Sequence, residues 1–588
     1  MRRGWLATLL AVIAVVFSSG AVATAGPSGY TSELLHFSVR VGPNAQQCTI
    51  IGELFVPDSA SPTARVPTVL TTHGFGQSYE VQVPTAKWLA SHGYVSLAYS
   101  GLGFGGSTCK VSLDDRDYDG VAAAQLVSFL GGAGGIAFTD PGLTSPRAPL
   151  DVVVHDSTDH VGRPSVNDPR VGMVGGSYGG GVQLGAAAVD PRIDTIVPLI
   201  TWNDLSYSLT PNGTSTITGV TTAVPGAAKV LFSTLLFGLG VTNPGTKGYI
   251  ADPARAVGCP NYRDYMCPAI AESVTIGEPS PSVTAHLRHA SVATFLDDIH
   301  VPVLLGQGEQ DTLFTLNEAV ATYQGLKSRG VPVKMIWHSW GHSHIEPAPG
   351  EFDPKAPDPV AQYETGRILD WFDHYLKNDA NASTGPEFAY FQPWVSYSGN
   401  ARPAYGTSTS FPVGARSDLF LSGDARLVGD PASARPGSAV LYTIPGGLPN
   451  GAAPPNIDPT AKVAATDIPG TALAWTTPPL AAPLDVAGIP TLRLRVDAPG
   501  RPVIFVKVYD VDPNGVATLI NGLVQPVRIT NPAAPVEIAL PGFVHRFAPG
   551  HSLRLAVTSG DVSFRGGLEA MPVTVHADGS VLTLPVVG

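Results

Sequence analysis

From about residue 31 the chain alternates short apolar runs with segments of helical spacing. Val66–Thr72, Tyr94–Tyr99, Arg170–Val174, Ile193–Leu199, Val301–Gly306 and Val331–His338 read as buried strands. Between and after them, Ala86–Ser91, Asp119–Leu130, Gly180–Ala188, Asn317–Lys327 and the amphipathic Gln362–Lys377 read as helices. Strand–helix alternation at this spacing predicts a mostly parallel sheet with helices on both faces. Residues 203–296 break the rhythm with Pro, Gly and Thr clusters and the apolar Ala227–Leu239, and predict a cap inserted over the sheet ends. From about 385 helical periodicity fades. Short runs such as Asp418–Leu421, Val440–Ile444, Val503–Val508, Val536–Leu540 and Ser552–Val557 lie between Pro/Gly/Asp turns, and Leu492-Arg493-Leu494-Arg495-Val496 alternates strictly. That texture predicts a β-sandwich or jelly roll. The expected plan is an α/β domain in two parts, 31–202 and 297–382, a cap at 203–296 and a β domain at 385–588.

The first residues follow a different logic. Arg2 and Arg3 precede an apolar run, Trp5–Phe17, and Ala23-Thr24-Ala25 offers a small-x-small cleavage site. This predicts a signal peptide over 1–25 and an extracytoplasmic protein with no integral membrane segment once it is removed. The 44% hydrophobic and 14% charged composition fits a well-buried fold. A net charge of −12 argues against nucleic acid as a partner. Cys48, Cys109, Cys259 and Cys267 allow three disulfide pairings in an exported chain. The closeness of the last two in one loop favours Cys259 with Cys267, leaving Cys48 with Cys109. None sits in a zinc-like pattern, so no metal is expected.

Candidate chemistry centres on Gly175-Gly176-Ser177-Tyr178-Gly179, a G-x-S-x-G between a strand and a helix. A serine on such a turn is held in a sharp backbone with its hydroxyl exposed. Serine is a weak nucleophile at neutral pH and needs a base. In the Ser–acid–His chain order of this arrangement, Asp311 follows a late strand and His342 follows the next one. Glu309 rivals the acid; His338 and His344 rival the base. The oxyanion of acyl transfer needs donors. The backbone N–H of Tyr178 is the first, and that of Phe75 or Gly74, in His73-Gly74-Phe75-Gly76, is the second.

These residues resemble the X-prolyl dipeptidyl-peptidase and cocaine-esterase-like hydrolases, the S15 peptidase group. Asp168–Gly180 resembles the family's elbow, and Gly103-Phe104-Gly105-Gly106-Ser107 its early glycine turn. Val301–Leu305 leading to Asp311 resembles its acid strand, and Trp340-Gly341-His342 its Trp-x-His. Tyr509–Pro513 and Phe547–Leu555 resemble its C-terminal β domain. The resemblance implies an α/β-hydrolase fold with an inserted, mainly helical cap and a C-terminal jelly roll, acting on esters or on dipeptides at peptide N-termini without a cofactor. Two departures matter. Cocaine-esterase-like members use a tyrosine hydroxyl at the oxyanion, where this chain has Phe75 and a displaced Tyr79; Leu102 stands where an Arg is common. A dipeptidyl-peptidase also needs an acid for the substrate's amino group, and Asp264 and Glu272 in the cap are the candidates.

The reading is an exported serine hydrolase taking a small ester or peptide substrate through Ser177. A carboxylesterase or acyltransferase without peptidase activity is the alternative, and a binding protein is a more distant one. Oligomeric state has no sequence signal.

Overall fold

The computed structural model describes residues 29–214, 216–446 and 468–587. The expected signal peptide, 1–25, lies outside the described residues. Thirteen strands and ten α-helices carry the part of the molecule that builds the site. They are β1 (Tyr30–Val41), β2 (Gln46–Pro57), β3 (Thr68–Thr72), α1 (Val83–Ser91), β4 (Val95–Tyr99), α2 (Val121–Leu130), β5 (Ala137–Phe138), β6 (Val171–Gly176), α3 (Tyr178–Val189) and β7 (Ile193–Leu199). The insertion that follows holds α4 (Leu205–Leu209), the hairpin β8 (Thr216–Thr218) and β9 (Thr221–Thr222), α5 (Val230–Thr242), α6 (Gly245–Ala251), α7 (Met266–Thr275) and α8 (Pro281–His289). The chain then returns through β10 (Val303–Gly308), α9 (Leu316–Ser328), β11 (Val333–His338), α10 (Tyr363–Leu376), β12 (Phe388–Phe391) and β13 (Tyr405–Ser408).

Eleven of these strands form one sheet, in the order β13-β12-β11-β10-β7-β6-β3-β4-β2-β1-β5. The run from β12 to β4 is parallel, and the strands at both edges are antiparallel. Every residue of β3, β4 and β10 is buried, as expected for central strands covered on both sides. One face packs Trp88 and Leu89 of α1 and Ile368, Trp371 and Phe372 of α10 against Val69, Val174 and Val197. The other packs Leu126 and Phe129 of α2, Leu184 of α3 and Tyr323 and Leu326 of α9 against Leu70, Met173 and Leu305. This is the α/β-hydrolase arrangement. Its strand order reverses at β3, which is flanked by β4 and β6, so the crevice for a ligand lies at the carboxyl ends of these strands.

Two antiparallel sheets, of eight and four strands, make the C-terminal β-sandwich. In Thr491–Asp497 the alternation works as the sequence predicts. Leu492, Leu494 and Val496 are buried among Ile504, Val506, Leu555 and Leu582, and Arg493 and Arg495 point outward. One expected boundary moves. The sandwich does not begin at 385, because β12 pairs with β11 and β13 with β12 in the hydrolase sheet, and the first sandwich strand is Ala415–Leu421. A four-residue run such as Phe388–Phe391 is equally at home in either sheet, and only the vacant edge of β11 decides.

The sandwich is fastened to both parts that frame the crevice. Asn521 donates to the Glu309 carbonyl (3.0 Å), and Arg528 donates to the carbonyls of Pro225 and Gly226 in the cap (2.9 and 2.8 Å). Disulfides join Cys48 to Cys109 and Cys259 to Cys267. The first closes a separation of 61 residues, which restricts the unfolded chain by about 4 kcal/mol in the chain-entropy view. No helix among the described residues is long and apolar enough to cross a membrane.

Candidate active site

The turn from β6 into α3 places Ser177 at φ 58°, ψ −118°, a left-handed conformation that a non-glycine residue adopts only where its surroundings enforce it. The enforcement is close packing. A Cβ on Gly179 would stand 2.4 Å from the Thr72 carbonyl, and one on Gly175 would stand 2.8 Å from the same oxygen. Only glycine at both positions lets the elbow seat against the end of β3. The Ser177 N–H donates to Leu199 O at 2.9 Å, which fixes the turn to β7 as well.

Ser177, Asp311 and His342 come from three separate strand ends and meet in one hydrogen-bonded line. His342 Nε2 lies 2.7 Å from Ser177 Oγ, and His342 Nδ1 lies 2.6 Å from Asp311 Oδ2. Asp311 is fully buried, and its Oδ1 accepts from the N–H groups of Leu313 (3.0 Å) and Phe314 (2.8 Å). A carboxylate can only accept, so Nδ1 carries the imidazole proton and the Nε2 lone pair faces the serine hydroxyl. The Phe314 ring meets the imidazole edge-on at 5.1 Å. The two loops are stitched together. Ser343 Oγ and Thr312 Oγ1 are 2.6 Å apart, and a Cβ on Gly341 would collide with that of Asp311 at 2.7 Å.

The rival residues have other surroundings. Glu309 is buried beside Glu351, and burial with that neighbouring charge holds its carboxyl well above the usual range. His338 is buried, 3.0 Å from Glu364 and stacked on Trp340 at 4.1 Å. His344 is half-buried and bonds Gly341 through its backbone.

At the other side of Ser177, the backbone N–H groups of Tyr178 and Phe75 donate to no protein acceptor among the described residues, and both residues border the cavity at the serine. The Phe75 ring packs edge-on against Phe104 and Tyr178 at 4.9 and 5.5 Å. Tyr79 instead joins the cluster around Phe55 and Ala86. His73 is buried, its Nδ1 2.8 Å from Gly74 O and its Nε2 accepting from the Gly101 N–H at 3.0 Å. Desolvation lowers its pKa to about 4, so it is a neutral strut under the loop. Leu102 is a core residue.

Sequence reasoning did not reach the groups behind Tyr178. Its hydroxyl donates to Asp119 Oδ2 at 3.3 Å, and Ser112 donates to the same oxygen. The acid-rich stretch 114–119 was the available signal, but nothing in it announces burial. Desolvation pushes the Asp119 carboxyl up to about 7. The unfolded chain ionises near 3.8, so the folded state holds its proton across that interval and unfolding releases it. Raising the pH from about 4 to 7 therefore removes stability, on the order of 4 kcal/mol for this group. Asp119→Asn is expected to flatten the slope of melting temperature against pH in that window; an unchanged slope would assign the effect elsewhere. The cap also contributes Lys229, a buried residue whose ammonium donates to the Leu313 carbonyl (2.6 Å) in the loop carrying Asp311.

The cavity at Ser177 lies between the sheet and cap helices α5, α7 and α8, and spans about 850 Å³ including its open mouth. Its walls include Leu236, Phe237, Met266, Ile270, Val283 and Phe314.

The X-Pro dipeptidyl-peptidase (S15 family) profile matches residues 50–344, and that of the X-Pro dipeptidyl-peptidase C-terminal non-catalytic domain matches residues 390–565. No curated protein matches the chain. Among solved structures, an α-amino acid ester hydrolase aligns with a TM-score of 0.64 at 14% identity, over 98% of this chain and 100% of the other. An aminopeptidase from a marine sediment Thaumarchaeota archaeon aligns with a TM-score of 0.61 at 15% identity, over 97% and 99%. A CocE/NonD family hydrolase from Staphylococcus aureus aligns with a TM-score of 0.61 at 13% identity, again over 97% and 99%. At these identities the likeness is one of fold.

Proposed function

This chain belongs to the X-Pro dipeptidyl-peptidase (S15) family of ester and peptide bond hydrolases, and from that premise we propose that it is an exported serine hydrolase working through an acyl-enzyme on Ser177. The observation that carries the reading is the unbroken line from Ser177 Oγ through His342 to buried Asp311, at 2.7 and 2.6 Å.

In the first half-reaction Ser177 Oγ attacks the substrate carbonyl carbon while His342 Nε2 takes the hydroxyl proton. Asp311, with its other oxygen held by two backbone N–H groups, orients the ring and stabilises the imidazolium. The negative oxygen of the tetrahedral intermediate is met by the N–H groups of Tyr178 and Phe75, with no tyrosine hydroxyl involved; one such donor supplies about 3–4 kcal/mol. His342 returns the proton to the departing alcohol or amine as its bond to carbon breaks. In the second half, His342 deprotonates water, which attacks the acyl-serine ester, and the acid leaves as Ser177 regains its proton. Export is supported by the leader-like residues 1–25 and by two disulfides, which persist in oxidising compartments.

A fluorophosphonate probe is expected to label the intact protein stoichiometrically, with the adduct mapping to the peptide containing Ser177. Absence of labelling under conditions that modify other serine hydrolases would favour a binding protein instead.

A further inference from the structure

The cavity beside Ser177 is chemically one-sided. Among the described residues, no carboxylate, ammonium, guanidinium or imidazole borders it. Its two phenols are engaged elsewhere: Tyr262 donates to the Leu236 carbonyl at 2.8 Å, and Tyr178 to Asp119. Its remaining side-chain polar groups are the Trp202 indole N–H, which donates to Ala290 O at 3.0 Å, and the neutral hydroxyls of Ser177, Thr210, Ser233 and Ser273, of which Thr210 already donates to Ser206 O at 2.6 Å.

The nearby acids suited to anchor a substrate's amino group do not reach this space. Asp264 has a side chain 83% exposed, 3.6 Å from the Lys110 ammonium. Glu272 accepts from the Ser280 N–H at 2.7 Å where α7 turns into α8. Asp114 and Asp119 lie closed off behind Tyr178, with 2% and 3% of their surface exposed. A free N-terminal ammonium entering the cavity would lose its water and find no counter-charge, at a cost of several kcal/mol.

The cavity's orientation follows from the base. The leaving group must come within hydrogen-bond reach of His342 Nε2, which returns its proton. His342 is not part of the cavity wall, whereas Phe75 and Tyr178, the oxyanion side, are. The leaving group therefore sits at the rim beside the imidazole, and the acyl group points inward under α5 and α7.

Resting on the serine-hydrolase reading, we infer that the cap cavity is an acyl site for uncharged aliphatic or aryl-aliphatic chains, and that the favoured substrates are esters of such acids rather than peptides with a free amino terminus. Leu236, Phe237, Met266, Ile270, Val283 and Phe314 supply the contact surface, and the acyl chain is selected by the water it leaves behind.

The test is a series of p-nitrophenyl esters from acetate to octanoate, with Gly-Pro and Ala-Pro p-nitroanilides assayed alongside. Each added methylene buried in the cavity is worth about 0.8 kcal/mol, or about fourfold, so kcat/KM should climb by roughly that factor per carbon until the cavity is full. Both anilides should fall at least about 100-fold below the best ester. Ala269→Phe, which puts a ring into the cavity wall, should shift the optimum to shorter acyl chains while the protein keeps a cooperative melting transition. A rate that declines steadily from acetate onward, or an anilide matching the best ester, overturns the acyl-site assignment. Fluorophosphonate labelling separates the two levels. If Ser177 is labelled and the chain-length profile is flat, only the assignment of the cavity fails; if Ser177 is not labelled, the serine-hydrolase reading fails and takes the assignment with it.

Discussion

Ser177→Ala is expected to lower kcat toward p-nitrophenyl esters by about 10⁵–10⁶-fold, with KM changed little. The alanine methyl fits where the serine Cβ already sits, so the elbow, held by Gly175, Gly179 and the bond to Leu199 O, keeps its shape. What disappears is the oxygen 2.7 Å from His342 Nε2. Because the covalent intermediate cannot form, esters and anilides should be affected alike. A residual rate above water is expected from the Tyr178 and Phe75 donors, which the substitution leaves in place. Steady-state kinetics on purified variant, with burst analysis to exclude contaminating wild type, checks the result; retention of more than a few per cent of activity would remove Ser177 from the mechanism.

Asp311→Asn should be nearly as severe, about 10⁴-fold in kcat, and for a subtler reason. Asp311 Oδ1 is pinned by the N–H groups of Leu313 and Phe314, and only an oxygen can satisfy both. An asparagine must therefore keep its carbonyl oxygen there and turn its NH₂ toward His342 Nδ1. Two donors cannot face each other, so the imidazole adopts the tautomer with its proton on Nε2, the atom that has to accept from Ser177. Geometry survives and basicity is lost. A kcat within tenfold of wild type would show that the Asp311 contact is architectural. Substrate binding should be spared, since Asp311 does not border the cavity.

Several elements were readable because the information is local. The elbow announces itself through glycines that are needed wherever a serine at positive φ packs against a neighbouring strand, and Leu492, Leu494 and Val496 declare their buried face by period two. Asp311 and His342 were reachable through chain order and their positions just past predicted strands. Their rivals could be set aside only on three-dimensional grounds: Glu309 lies beside Glu351, and His338 is sandwiched by Trp340 and Glu364. The strand Phe388–Phe391 lies inside the range expected for the β domain but pairs with β11, because its apolar residues suit either sheet.

Taken alone, then, the order of residues determined the parallel sheet, the inserted cap, the β-sandwich and the strand ends on which a serine, an acid and a histidine sit. Those features depend on periodicity, turn chemistry and glycine sterics, which act within a few residues. Only the folded chain decided which acid and which imidazole meet Ser177, that Asp119 is shut away behind Tyr178, and that the cap brings an uncharged apolar wall to the nucleophile. Each of these depends on contacts between segments tens to hundreds of residues apart, such as the 165 positions separating Ser177 from His342, and burial at such contacts leaves no mark on the neighbouring sequence.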